Sequence, residues 1–497
     1  MWKASEIRWP CAALVAIVIA IGMRPGDSGW FFDMSRDFDV ALQYSNPSHP
    51  LGIPLPFTPS PYAIKGTHGI RYGPLPVWID QVFLTFTHDL ILMSAIREVA
   101  VSALIALGLL WLTQLLRVSP WLAVVVMLSP WTWYYSRQLW DNSVSIPITV
   151  LLFAAYGQFV KSKSGWALCL AIVCAALSCL VHLIAIPFLA VLAIHAVIFE
   201  TKWVMKSKWP ALATLIVMFA VSEPYLRYVL TFHGSHVPNY APWWRGWVFP
   251  MMGAQHLTAK NVSWILEESW DNINPASVRY AFKFARLITC IGYLACWVGM
   301  IIAIPRALRA LRRRAEAGTV DHLCLVALAA LAFQILFDGL EHVSLYPHYH
   351  STTWIIYAMF AWLAFDALPR WFGPRSLIAV LTVPVYAASL VFIEIIVAWQ
   401  IARNGGTRGN HYNAVLSNQI EAVKEIGRFS DKSPIDVQVD YWQDRPDTLR
   451  VLRQLVSPPT DDGPVRKLVV RFRAEFPGDA RIVVDNYPIA ITEPAHP

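Results

Sequence analysis

Trp30-Phe31-Phe32-Asp33-Met34-Ser35-Arg36-Asp37-Phe38-Asp39 follows closely on an apolar run from Trp9 to Met23, and this junction decides how the rest of the chain is read. The run is shorter than the roughly 20 residues of an ordinary bilayer span, which predicts a first membrane helix that is either tilted little or flanked by snorkelling ends. Behind it come three carboxylates and an arginine. On a helix Asp33 and Asp37 lie four residues apart and share one face, with Arg36 beside them. The stretch therefore predicts a clustered, partly paired charge site at a membrane surface. Its basic start and apolar core resemble a signal peptide, but Arg24-Pro-Gly-Asp27 offers no small-residue cleavage pattern, so a retained span is expected.

Composition agrees. Of 497 residues 56% are hydrophobic and only 15% charged, with 23 tryptophans, whereas a soluble domain carries about a quarter charged residues. The net charge of +7 does not point to nucleic acid, because the basic residues sit in short clusters between apolar runs. Cys11, Cys169, Cys174, Cys179, Cys290, Cys296 and Cys324 all fall inside apolar runs without CxxC or metal-ligand spacing, so they read as small buried hydrophobes.

Hydropathy predicts about eleven spans, near 7–24, 90–116, 119–134, 143–160, 166–183, 184–200, 209–231, 281–304, 321–340, 351–368 and 376–400. If these alternate, Lys3 and Arg8, Arg117, Lys161 and Lys163, Lys202 to Lys208, Arg306 to Arg314, and Arg370 with Arg375 share one side. By the positive-inside bias that side is cytoplasmic. Segments 25–89, 232–280 and 341–350 then face outward, as does the tail. Residues 1–400 form the membrane domain and 401–497 a small extracytoplasmic α+β domain, with a polar helix over 413–428 and strands near 435–441, 468–472 and 481–484. The tail is expected to cap the bundle or to contribute to acceptor recognition.

The outward segments carry the chemistry. The first loop is rich in proline over 47–61, reaches Arg71-Tyr72-Gly73-Pro74-Leu75-Pro76-Val77-Trp78, and continues as an interfacial amphipathic stretch to His88. Trp131-Thr-Trp133-Tyr134-Tyr135-Ser136-Arg137-Gln138-Leu139-Trp140-Asp141-Asn142 joins two spans; its aromatics suit an interface, while Arg137 either pairs with Asp141 or turns its fork to a phosphate. His182 ends an apolar run, where a histidine more often packs a helix than meets a ligand. Asp338-Gly-Leu-Glu341-His342-Val-Ser-Leu-Tyr346-Pro-His348-Tyr349-His350 has the side chains for a divalent metal. Its spacing matches no zinc signature, so a substrate-pocket or interfacial role is favoured over a metal site and no cofactor is expected. The Asn261 sequon is a common chance match.

Taken in order, Asp33-Met-Ser-Arg36-Asp37, Tyr72-Gly-Pro74-Leu75-Pro-Val-Trp78, Tyr135-Ser136-Arg137 with Trp140-Asp-Asn-Ser143, and Val181-His182-Leu183 resemble the C-type (GT-C) membrane glycosyltransferases. More narrowly they are similar to the protein mannosyltransferase and aminoarabinose transferase (ArnT-like) group. The likeness covers about the first 200 residues in register and the rest more loosely. It implies a helical bundle, a first outer loop with interfacial helices, and transfer of a sugar from a polyprenyl phosphate to an acceptor lipid, polysaccharide or protein. Inversion, commonly without a metal, and action on the outer face of the cytoplasmic membrane are also implied. The family's loop begins with two adjacent acids; here Met34 stands in the second place, which leaves the base open between Asp33 and Asp37. Tyr72 stands where the family often has lysine, so the resemblance assigns phosphate neutralisation to Arg71, Arg137 or Arg36. Tyr72, Asp141, His182, His348 and His350 complete the substrate-binding candidates.

Two other classes fit the composition. A transporter or flippase for a polar or lipid-linked solute would carry charges deep within helices or broken, repeated spans. A membrane scaffold with a partner-binding outer domain would tolerate loss of the first-loop acids.

Overall fold

A computed structural model describes residues 3–30, 34, 38, 41–42, 73–231, 243–259, 276–314, 316–340, 347–404, 415–429, 435–439, 446–456, 466–472, 482–484 and 489–492. Asp33, Arg36, Asp37, Arg71, Tyr72, Glu341 and His342 lie outside these residues. So does the side chain of His348.

The helices, in chain order, are α1 Ala4–Gly22, α2 Leu75–Phe86, α3 Leu90–Leu116, α4 Trp121–Met127, α5 Pro130–Ser136, α6 Asp141–Ser162, α7 Gly165–Val181, α8 Ile186–Phe199, α9 Thr201–Lys206 and α10 Lys208–Thr231. They continue as α11 Phe249–Gln255, α12 Ala276–Ile288, α13 Cys290–Arg312, α14 Thr319–Leu340, α15 Trp354–Phe372, α16 Leu377–Asn404, α17 Leu416–Phe429 and α18 Pro446–Val456. Among the described residues six helical segments are long and apolar enough to cross a membrane, with α12 and α13 counted as one. The chain is a multi-pass, mainly α membrane protein.

Helix ends follow local chemistry. Asp89 caps α3, its Oδ1 accepting from the backbone N–H of Ile91 and Leu92 at 2.9 and 3.2 Å. Arg117 and Lys163 close α3 and α6 in the left-handed region, both at φ 58°.

The expected span over 119–134 takes a broken form. Ser129 caps a new helix with Pro130 at its first position, so the segment is two seven-residue helices, α4 and α5. It nevertheless returns along the bundle. An Arg97 guanidinium N–H reaches the Trp140 carbonyl, Gly108 faces Val150 and Gly157 faces Leu115. A nearly constant offset along both helices means that α3 and α6 run parallel. Residues 118–140 must therefore climb back the whole way.

Basic groups gather at the far end from Arg97. Lys163 Nζ is 2.6 Å from Glu200, Arg309 and Arg306 approach Asp321 at 3.5 and 3.8 Å, and Arg314 lies over the Phe199 ring. The one-sided grouping expected from the spans is thus a geometric fact for these clusters.

Beyond α16 the polar helix is α17, and a four-stranded sheet follows with order β1 (Ile435–Val439), β2 (Arg466–Phe472), β4 (Ile489–Thr492), β3 (Ile482–Val484). β1 and β2 are parallel with α18 as the crossover, while β4 runs antiparallel to both β2 and β3. Helix α18 and strand β4 had no counterpart in the hydropathy pattern.

Candidate functional site

Polar side chains buried in an apolar bundle must be satisfied by one another or by a ligand. The main concentration of them surrounds the N-terminal ends of α3 and α6. Arg97 and Glu98, eight and nine positions into α3, are 4% and 1% exposed. Arg97 Nη1 donates to Asp80 Oδ1 at 2.7 Å and Nη2 to the Trp140 carbonyl at 2.8 Å. One guanidinium thereby ties helix α2, helix α3 and the entry to α6. Glu98 accepts from Ser94 Oγ at 2.8 Å and faces Arg137 Nε at 3.9 Å.

Arg137 does not pair with Asp141, one of the two expectations for it. It donates to the Arg24 carbonyl at 2.7 Å, at the start of the first loop, and lies 4.7 Å over the Trp133 ring. Asp141 Oδ1 instead accepts from the backbone and side-chain nitrogens of Asn142 at 2.7 and 2.9 Å, in the first turn of α6. Asn142 Oδ1 accepts from Ser351 Oγ at 3.0 Å, and Thr149 Oγ1 donates to the Ser351 carbonyl. That carries the cluster to His350, in the short 3-10 turn Pro347–Thr352.

His350 is fully buried. Its ring lies 4.0 Å from Phe249 and 4.7 Å from His256, which in turn meets Trp131, and Trp131 stacks on Trp354 at 5.2 Å. Among the described residues neither ring nitrogen of His350 has a hydrogen-bond partner, and the same holds for the hydroxyls of Ser143, Ser145 and Thr352 and the indole N–H groups of Trp131 and Trp354. Burial lowers the His350 pKa to about 3. Burial, with His350 adding to it, holds His256 well below the ordinary histidine value. Both rings are neutral at physiological pH. Such a nest of neutral donors and acceptors between aromatic walls can take hydroxyl-rich groups without introducing charge.

His182 sits at the same end but in a different role. It ends α7, and its Nδ1 accepts from the Ile184 N–H at 3.1 Å, so it caps the turn into α8. Next to it the Gly73 N–H donates to the Val181 carbonyl at 2.9 Å, which fixes where the first loop returns. The structure thus brings Arg137, Asp141 and His350 into one connected network and leaves His182 at its edge. Sequence reasoning passed over Asp80, Glu98, Arg97, Asn142, His256 and Ser351. The signal for two of them was present: Arg97-Glu98 interrupts an otherwise apolar 90–116 run. Among the described residues no three His, Cys, Asp or Glu side chains come together as they would to hold a metal ion.

An apolar cavity of about 420 Å³ lies between α6, α7, α8 and α10. Small residues on α7, Ala171, Ala175 and Cys179, make room for it against Leu192, Leu215 and Phe219. One of its ends, at Leu180, adjoins the Gly73 contact.

No family model and no curated protein matches the chain. Solved structures do. The apo structure of ArnT from Cupriavidus metallidurans superposes with a TM-score of 0.55 at 14% identity, covering 98% of each chain. The structure of the same protein bound to undecaprenyl phosphate superposes at 0.52 with 14% identity over 99% of each. The chain therefore has the ArnT-like GT-C fold expected from its motifs.

Proposed function

We propose that this protein transfers a sugar from a polyprenyl-phosphate donor to an acceptor hydroxyl at the outer face of the cytoplasmic membrane. The observation that carries the reading is the gathering of buried polar groups at one end of the bundle, the end where the first loop both leaves and returns. Arg137 holds the exit at Arg24, and Asp80 with Gly73 holds the return. The basic clusters lie at the opposite end, which is the cytoplasmic one under the positive-inside bias. ArnT, whose fold the chain shares, has been solved with undecaprenyl phosphate bound.

In the reaction the acceptor oxygen attacks the anomeric carbon, the bond from that carbon to the phosphate oxygen breaks, and polyprenyl phosphate leaves with the electron pair. Asp33 or Asp37 takes the acceptor proton. Arg36, Arg71 and Arg137, with Tyr72, meet the charge that builds on the phosphate, where a guanidinium fork binds two oxygens and stays ionised beside lipid. Asp141, His348 and His350 contact sugar hydroxyls, and His182 shapes the edge of the pocket. The apolar cavity takes part of the polyprenyl chain. The acceptor is a lipid, a polysaccharide or a protein. No metal is assigned a step.

The test is release of polyprenyl phosphate by purified protein offered a panel of polyprenyl-phosphate sugars and crude membrane acceptors. Release from one donor that Asp33→Asn or Asp37→Asn lowers by about 100-fold or more, with both variants folded, establishes the reaction and identifies the base. If no donor is turned over, a transporter takes precedence and flux across proteoliposomes becomes the measurement. Arg97 and Glu98 are among the charges within a helix that such a reading would invoke, but both are already paired with neighbours at one end; Glu394, midway along α16, is another.

A further inference from the structure

The segment that leaves α1 is gripped from the far end of the sequence. Three alternate carbonyls, those of Gly26, Ser28 and Trp30, each accept a hydrogen bond from the start of α17. Ser417 Oγ reaches Gly26 at 3.0 Å, the Leu416 N–H reaches Ser28 at 2.8 Å, and Gln419 Nε2 reaches Trp30 at 2.8 Å. Gly29 and Val415 add an antiparallel bridge. The first N–H groups of a helix have no partner within it, so a loop carbonyl is a natural acceptor for Leu416. The contact is not a surface touch: Trp30 is 0% and Gln419 1% exposed, with Val415 and Leu416 buried alongside.

Trp30 precedes Asp33 by three residues and Asp37 by seven. Further along, Met34, Phe38 and Ala41 are buried, the Phe38 ring lies 5.4 Å from that of Trp30, and Gln81 Nε2 reaches the Ala41 carbonyl at 3.5 Å. Trp30, before the acids in sequence, is thus held by Gln419, and Ala41, after them, by Gln81.

We infer that Gln419, assisted by Ser417, is a positioning residue for the first-loop acids, which makes α17 part of the catalytic unit and not a separable cap. The inference rests on the transferase reading. A side-chain amide bonded to a backbone carbonyl sets where the following residues start, and small displacements of a general base are costly to turnover.

The experiment uses the full-length protein in detergent and reads two quantities. In Gln419→Ala, hydrogen exchange of peptides covering residues 24–42 rises while peptides from α3 and α15 are unchanged. The turnover number for polyprenyl phosphate release falls about tenfold, the worth of one buried hydrogen bond, with KM for the donor within about twofold. A role in stability alone would lower the folded fraction and leave the turnover number of the folded protein intact. In a second variant Gly29→Cys and Val415→Cys are added to Gln419→Ala, because residues facing across an antiparallel bridge are within disulfide reach. Oxidation should restore turnover and reduction should remove it again. Unchanged exchange and turnover in Gln419→Ala, or a cross-link that forms without restoring turnover, overturns the inference. A wild-type protein inactive on every donor refutes the transferase reading instead, and the exchange measurement then judges the grip on residues 24–42 by itself.

Discussion

Replacing Arg97 with methionine removes the group that joins three segments while keeping most of its apolar volume. Asp80, 1% exposed, then loses a charged partner 2.7 Å away, and the Trp140 carbonyl loses a donor at 2.8 Å. Breaking a buried ion pair from one side costs about 3–5 kcal/mol, since the remaining charge cannot return to water. The carbonyl contact alone is worth about 1.5–3 kcal/mol, but it belongs to the same guanidinium and does not add in full. Arg97→Met should therefore lose about 3–5 kcal/mol in equilibrium unfolding from mixed detergent micelles. Removing both partners is milder, because apolar replacements of a buried pair are often neutral. Arg97→Met with Asp80→Leu should recover most of the loss, giving a coupling above about 2 kcal/mol in the double-mutant cycle. A single-variant cost under about 1 kcal/mol, or additive costs, would falsify the claim that this pair fixes α2 against the bundle.

Gly299 on α13 lies against the backbone of α15, and a Cβ there would overlap the Phe360 carbonyl. Because backbone cannot swing aside, Gly299→Ala should cost at least about 2 kcal/mol in the same unfolding assay, and near-neutrality would show that the two helices are not in close contact. Stability should also depend on His350. Its folded pKa of about 3 lies below the ordinary 6.5, so between those values the unfolded chain binds more protons. Unfolding free energy then rises with pH across that window, by up to about 1.4 kcal/mol per unit for this one group, and is flat above it. His350→Phe should reduce the slope by that amount; an unchanged slope over pH 4 to 6 would mean that His350 is not held neutral.

The helical bundle was legible because apolar runs of membrane length carry their own signal. α3 matches its expected bounds of 90–116, and most other expected spans fall within a few residues of a helix, although among the described residues only six segments are long and apolar enough to cross a membrane. The break at Ser129-Pro130 was hidden because hydropathy averages over a window that a single cap does not disturb. That Arg137, Asp141 and His350 share one end of the bundle followed from alternation of the spans alone. The long-range partners of Arg137 and His350 did not, since Arg24 and Glu98 for the one, and Phe249 and His256 for the other, are distant in sequence and meet them only through packing. Arg137 illustrates the limit: a spacing of four residues suggested Asp141, but the turn between α5 and α6 breaks the helical register that this spacing assumes. Helix α18 and strand β4 are short and mixed in composition, and their partners again come from elsewhere in the chain.

The parallel course of α3 and α6 has a bearing on how the chain is made. A hairpin can zip from its turn as it emerges, but two parallel helices cannot. Arg97 enters the bilayer 43 residues before the Trp140 carbonyl that will receive its second N–H group. Asp80, only 17 residues ahead of it, is available at once. The two charges can thus be inserted as a neutral couple, with α2 held beside α3 while the broken crossing and α6 are still being synthesised. On this account Asp80 is needed first by the newborn chain, and a defect in it should appear as failed integration during translation before any finished protein can be assayed.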